Sequence, residues 1–294
     1  MADGISSQRV ALRAGAETVA GCLKRARQLG VARLDAQLLL AHALGRSRTW
    51  LLAHDDAPLP DAQAVDGLLA RRAAGEPLAY LVGEREFHGL ALRVTSAVLI
   101  PRPDTETVVD WAIELLQPQT QPRVADLGTG SGAIALALKR AVPAADIHAC
   151  DNSPAALDVA RGNGQRLALA VTWHPGSWWQ AFASLGAASD GFDLAVANPP
   201  YLAADDVHLD ALRDEPRMAL VPGDNAADGL SDLAALIRQA PAHLAPGGWL
   251  LLEHGFAQAA AVCERLTAAG FDRVQTRPDL AGRPRASGGC LPRR

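Results

Sequence analysis

From Val108 onward, short apolar runs alternate with segments of helical period, and this alternation restricts the fold more than any other feature of the chain. The apolar runs are 124–127, 147–150, 170–173, 194–197 and 249–252, with helical patterns between them, as at 133–140 and 154–163. Strand, helix and strand in succession give parallel strands, and a parallel sheet has to be covered on both faces. The second half of the chain is therefore expected to be an α/β layer fold.

The first 80 or so residues follow a different pattern. The stretch 34–44 is helical, with Leu34, Leu38, Ala41 and Leu44 along one face and Gly45 as its stop. A second helical run over 61–74 ends in Gly75-Glu76-Pro77. These segments are expected to pack as a small bundle. Between Glu84 and Thr95 the period changes, and Phe87, Leu90, Leu92 and Val94 around Gly89 read as a short hairpin. Pro101 and Pro103 then exclude helix, and Asp104 or Thr105 is placed to cap the helix that follows. The expected organisation is a helical domain over 1–83, a hairpin linker over 84–107 and an α/β domain over 108–294.

A chain of 294 residues is long enough for two domains at about 150 residues each. Cys22, Cys150, Cys263 and Cys290 are widely spaced, with no histidine cluster at metal-ligand spacing, so they read as core thiols of a reducing compartment and no metal site is expected. No apolar run follows the first residues and none is long enough to span a bilayer, so a cytoplasmic location is expected. Residues 1–107 carry 13 basic and 12 acidic side chains, and residues 108–294 carry 15 and 20. The second half is thus net −5 against +1 for the first. A face that neutralises many phosphates is usually basic, so nucleic acid is not expected as the direct partner.

Two motifs carry chemistry. Asp126-Leu127-Gly128-Thr129-Gly130-Ser131-Gly132 leaves a strand and opens a helix, and Asp151 closes the next strand. Glycines let the backbone turn tightly and a ligand approach, the helix start offers N–H groups, and Asp151 can accept from ribose hydroxyls. A nicotinamide enzyme and an S-adenosylmethionine enzyme would both present this loop. Asn198-Pro199-Pro200-Tyr201 follows the strand 194–197 directly. Two prolines fix the backbone and remove two donors, so Asn198 and its neighbouring carbonyls can accept both hydrogens of one planar NH2 group, with Tyr201 placed to stack on it.

Together these motifs resemble class I S-adenosylmethionine-dependent methyltransferases that act on planar nitrogens of DNA, ribosomal RNA or protein glutamine. The tetrapeptide does not separate those substrates. Ile100-Pro101-Arg102-Pro103-Asp104-Thr105-Glu106, Gly75-Glu76-Pro77-Leu78-Ala79-Tyr80, Arg85-Glu86-Phe87, Glu215-Pro216 and Leu251-Leu252-Glu253-His254-Gly255 closely resemble the peptide chain release factor glutamine methyltransferases (the PrmC/HemK family).

That resemblance implies a helical N-terminal domain, a β-hairpin linker and a seven-stranded Rossmann-like domain. It implies S-adenosylmethionine as methyl donor, held by Asp126, Gly128, Thr129, Gly130, Ser131, Gly132, Asp151, Trp178 and Asn198. It implies Asn198, Pro199, Pro200 and Tyr201 as the catalytic cradle of a glutamine in the Gly-Gly-Gln loop of a class 1 release factor. The protein would act as a monomer, its acidic catalytic half attracting a basic loop. Two departures stand out. Ser177 replaces an acidic residue common before the tryptophan, and the last strand, 285–290, contains Gly288 and Gly289 and is expected to be weak. A nucleic-acid methyltransferase and a non-catalytic adapter are the rival expectations.

Overall fold

The structure, a computed structural model, describes residues 17–185, 191–223 and 227–293. The N-terminal stretch read for a secretory leader lies outside them. The chain divides into two compact units, Met1–Val82 and Gly83–Arg294, so the hairpin over 84–93 belongs to the second unit.

The first unit is helical: α1 (Val19–Gln28), α2 (Arg33–Leu44), α3 (Arg48–Ala53), α4 (Ala62–Ala73) and α5 (Leu78–Val82). Thr18, Ser47 and Asp61 cap α1, α3 and α4 by accepting backbone N–H bonds. Gly45 ends α2 at φ 59°, a conformation that glycine adopts without strain. The face of α2 that meets the core differs from the expected one. Ala36, Gln37, Leu39 and Leu40 are buried, while Leu34 is half exposed. Leucines surround this helix, so period alone selects no face. The buried row packs against Cys22, Leu51 and Leu69.

In the second unit β1 (Glu84–Phe87) and β2 (Leu90–Arg93) form the expected antiparallel hairpin, with Phe87, Leu90, Leu92 and Val94 buried. A 3-10 turn over Pro103–Thr105 leads into α6 (Glu106–Leu116). Thr105 occupies the cap position of α6 but makes no side-chain cap bond; its hydroxyl instead accepts a bond from Asn198 Nδ2 at 3.2 Å.

The seven-stranded sheet comprises β3 (Arg123–Leu127), β4 (Asp146–Asp151), β5 (Thr172–Pro175), β6 (Phe192–Ala197), β7 (Leu244–Glu253), β8 (Asp272–Pro278) and β9 (Pro284–Cys290). Their spatial order is β5-β4-β3-β6-β7-β9-β8, and β9 runs antiparallel to both neighbours. The helices α7 (Ala133–Ala141), α8 (Pro154–Leu167), α9 (Ser231–Gln239) and α10 (Ala259–Ala268) accompany the sheet. Alternate strand residues enter two apolar clusters: Val124, Val196 and Leu251 meet Trp111 and Leu136, and Ala125, Ala195 and Leu250 meet Trp179 and Leu236. The fold is the α/β, Rossmann-like arrangement anticipated.

Two strands correct the expectations. β5 begins two residues late, at Thr172, because Ala168 closes α8 in the left-handed region and Leu169 N–H bonds back to Gly164. β9 is neither weak nor at the edge: it is paired on both sides, and Gly288 and Gly289 are buried within it. A Cβ on Gly288 would lie 2.5 Å from Leu251 Cδ2 and 3.0 Å from Trp111, and one on Gly289 would lie 2.9 Å from Phe271 Cβ. Glycine here lets side chains from both layers close over the strand.

Strand order reverses between β3 and β6, and ligands bind open α/β sheets beyond the strand ends at such a switch point. Leu127 pairs with Ala197, so the glycine loop and the tetrapeptide leave the sheet side by side.

Candidate active site

Beyond that switch point lies a cavity of about 290 Å³. Gly128, Thr129, Gly130, Ser131, Asp151, Trp178, Asn198 and Pro200 all contribute to its wall. Ala133 and Ile134, at the start of α7, reach it too. Among the expected site residues, Asp126, Gly132, Pro199 and Tyr201 do not line it.

The loop is built by hydrogen bonds that its sequence makes possible. Gly128 and Thr129 N–H both donate to the Cys150 carbonyl, and Gly130 N–H donates to Asp151 Oδ2 at 2.9 Å. Asp151 Oδ1 accepts from Ser153 N–H at 2.8 Å. Burial pushes the Asp151 carboxyl above its ordinary value, while the N–H bonds from Ser153, Gly130 and Asn152 oppose that shift. Asp126 lies beneath the loop, fully buried. Its Oδ2 accepts from the Thr129 hydroxyl at 2.6 Å and from Ala135 N–H at 3.1 Å, while Oδ1 has no partner among the described residues. Burial pushes its carboxyl up to about 7. Asp126 thus shapes the loop from below and does not meet the cavity.

The adjacent tryptophans separate. Trp179 is buried, donates from Nε1 to the Leu236 carbonyl at 3.0 Å and stacks on His243 with centroids 4.7 Å apart. Trp178 is partly exposed, at φ 48°, and its ring lies against Gly128 in the cavity wall beside Ser177.

On the β6 side, Asn198 gives its Nδ2 to Thr105, and no described residue bonds its Oδ1. The Tyr201 carbonyl accepts from Gln258 Nε2 at 3.0 Å, and its hydroxyl donates to Glu253 Oε1 at 3.3 Å. Burial raises the Tyr201 hydroxyl, with the Glu253 charge adding to the effect. Glu215, almost fully buried, accepts Ile100 N–H at 3.0 Å and pairs with Arg102, joining the proline-rich segment to the loop after β6.

Sequence reasoning singled out Glu215 and Glu253 within motifs but gave them no role. Their partners lie far away along the chain, so no local pattern marked them. His254 is fully buried, bonding Ser287 Oγ at 2.7 Å and the Gly255 carbonyl at 2.9 Å, which suits a structural group. Among the described residues no group of three or more potential ligands is arranged for a metal ion, and no helix is long and apolar enough to cross a membrane.

Known proteins match both halves of the chain. The PrmC N-terminal domain matches residues 18–83, and the methyltransferase small domain matches residues 106–216. The release factor glutamine methyltransferase of Bordetella pertussis is 50% identical over 266 residues, spanning 89% of this chain and 96% of that protein. The protein of the same name from Escherichia coli is 43% identical over 260 residues, spanning 87% and 91%. Among solved structures, the hMettl16 catalytic domain in complex with MAT2A 3'UTR hairpin 6 has a TM-score of 0.54 and 18% identity, covering 76% of this chain and 81% of that one. At that identity the likeness is one of fold.

Proposed function

The chain belongs to the release factor glutamine methyltransferases, and from that premise we propose that it transfers a methyl group from S-adenosylmethionine to the side-chain nitrogen of the glutamine in the Gly-Gly-Gln loop of class 1 release factors. The observation that carries this reading is the single cavity wall shared by Asn198, Pro200 and the loop 128–131.

The residues present suit such a donor. A carboxylate has about four acceptor sites, and Asp151 spends three on backbone N–H groups, which leaves room for a ribose hydroxyl. The start of α7 offers N–H groups and the positive end of a helix to a carboxylate. Trp178 supplies a flat face for adenine, with Ser177 beside it. S-adenosylmethionine supplies a methyl group made electrophilic by a positively charged sulfur.

An amide nitrogen is a poor nucleophile because its lone pair is shared with the carbonyl. Asn198 Oδ1, which no described residue bonds, accepts one N–H of the substrate amide, and a backbone carbonyl of the tetrapeptide accepts the other. These bonds draw electron density onto nitrogen, fix its direction, and strengthen as positive charge builds on it. Pro199 and Pro200 offer no N–H that would compete for those acceptors. Once alkylated, the nitrogen sheds its proton readily, so a strong base is not required. Tyr201 is braced at its carbonyl by Gln258 and at its hydroxyl by Glu253, which holds the end of the tetrapeptide in place. The protein acts as a monomer in the cytoplasm, on protein and not on nucleic acid.

The test is transfer of labelled methyl from S-adenosylmethionine to a purified release factor. Label should appear on the wild-type factor and vanish when its loop glutamine is replaced. Label that persists on the replaced factor would overturn the assignment.

A further inference from the structure

Asn163 lies within α8, fully buried and outside the cavity wall. Its Oδ1 accepts Arg93 N–H at 2.7 Å. Its Nδ2 gives one hydrogen to the Arg93 carbonyl at 3.0 Å and the other to the Ser131 carbonyl at 2.9 Å. One N–H and two carbonyls around the amide leave it only one way round. It thus joins three elements that lie apart in the chain: α8, the end of β2 and the glycine loop.

The bond to Ser131 reaches the loop from behind. Ser131 lines the cavity and Asn163 does not, so the Ser131 carbonyl points from the wall into the protein. The same peptide group is held at its other end, where Gly132 N–H donates to the Thr129 carbonyl at 2.9 Å. Gly132 sits at φ 83°, and a Cβ there would lie 3.1 Å from Trp173 Cη2 and 3.3 Å from Ala160 Cβ, so α8 and β5 press directly on the loop. Ser131, Ala133 and Ile134 line the cavity, and their N–H groups find no acceptor among the described residues. Such donors at a helix start suit a carboxylate. A Ser131 carbonyl released from Asn163 would set an acceptor among them, repelling a carboxylate and competing for the same N–H groups.

We propose that Asn163 is a positioning residue for the amino-acid end of the methyl donor: it holds the Ser131 carbonyl in the protein, so that the loop offers N–H groups to the donor's carboxylate. This rests on the reading of the loop and the start of α7 as the place where that carboxylate binds. Asn163 touches neither donor nor substrate, and its influence on both passes through Ser131.

S-adenosylhomocysteine and methylthioadenosine isolate the effect. Both carry adenosine and a neutral sulfur, and only the first carries the amino-acid group, so the wild type should bind the first more tightly. Asn163→Leu, of similar volume, removes all three bonds; Asn163→Asp keeps the acceptor for Arg93 N–H and loses both donors. In calorimetric titration each should bind S-adenosylhomocysteine about 10- to 100-fold more weakly, the worth of one hydrogen bond to a charged group. Methylthioadenosine binding should change little. Arg166→Ala cuts the other tie between α8 and β2, where Arg166 donates to the Ala91 carbonyl, and should leave both affinities at wild-type values. Equal losses for the two ligands in Asn163→Asp, no loss at all, or a loss as large in Arg166→Ala would overturn the proposal. A check on the wild type needs neither Asn163 variant to fold. The Asn163 side-chain NH2, assigned through its own backbone, should exchange with solvent far more slowly than an exposed amide, and exchange at the exposed rate would also overturn it. Failure of the wild type to methylate a release factor would overturn the proposed function instead, and the two affinities would still decide the role of Asn163.

Discussion

Trp178 lies so close over Gly128 that a Cβ on residue 128 would fall 2.8 Å from its Cζ3. The glycine loop and the indole thus form one surface. Gly128 also sits at φ 79°, where a side chain costs about 1–2 kcal/mol. Gly128→Ala is therefore expected to push Trp178 out of the wall and weaken S-adenosylmethionine binding about tenfold or more, roughly 1.4 kcal/mol. Calorimetric titration of the variant checks this, and unchanged affinity would contradict it.

The two tryptophans should answer differently to truncation. Trp179→Ala empties a buried site and breaks the bond to Leu236, so it should cost about 3–5 kcal/mol of stability. Trp178→Ala should spare stability and weaken cofactor binding. Denaturant unfolding and calorimetry on both variants separate the two effects.

Asn198→Ala removes the acceptor whose Oδ1 no described residue occupies. The expected loss in kcat is about 10²-fold, comparable with removing one preorganised hydrogen-bonding group in other enzymes. Steady-state kinetics with a release factor substrate provides the measurement, and near-full turnover would remove Asn198 from the mechanism.

Gly288→Ala should destabilise the sheet unit by about 1–3 kcal/mol through overpacking against Leu251 and Trp111. Thermal unfolding is the check. A variant as stable as the parent would mean that neighbouring side chains yield more readily than their packing suggests.

Stability should also respond to pH through two acids. Asp126 and Glu253, both pushed up to about 7 by burial, keep protons when folded that they surrender when unfolded above about pH 4. Their contribution is complete below about pH 4 and is lost as pH rises through about 7. His174, His243 and His254, held below their ordinary value by burial, act in the opposite sense. The difference between proteins isolates the acids: Glu253→Gln should gain stability relative to the wild type as pH rises from 5 to 8. Denaturant unfolding across that range tests it, and a flat difference would count against the buried charge.

The loop at 128–132 and the tetrapeptide were readable from sequence because glycine and proline write backbone geometry locally. The ties that complete the site were not. Glu215 reaches Ile100 and Arg102 across more than a hundred positions, and Thr105 meets Asn198 across 93. No spacing rule connects such pairs. The glycines of β9 misled for a related reason. Strand propensity counts a missing side chain as weakness, whereas here Trp111, Leu251 and Phe271 require its absence. On α2, the row Leu34, Leu38, Ala41 and Leu44 pointed to the wrong face, because the buried row of Ala36, Gln37, Leu39 and Leu40 is set by packing against α1, α3 and α4.

The placement of β9 between β7 and β8 sets a timetable for synthesis. β8 is made first, yet among the described residues it pairs with β9 alone. While residues 284–290 are still inside the ribosome, β8 has no strand to join and β7 shows a raw edge on that side, a surface prone to pairing with other chains. The five parallel strands can assemble as the chain emerges, but the sheet closes only after its seventh strand has been released.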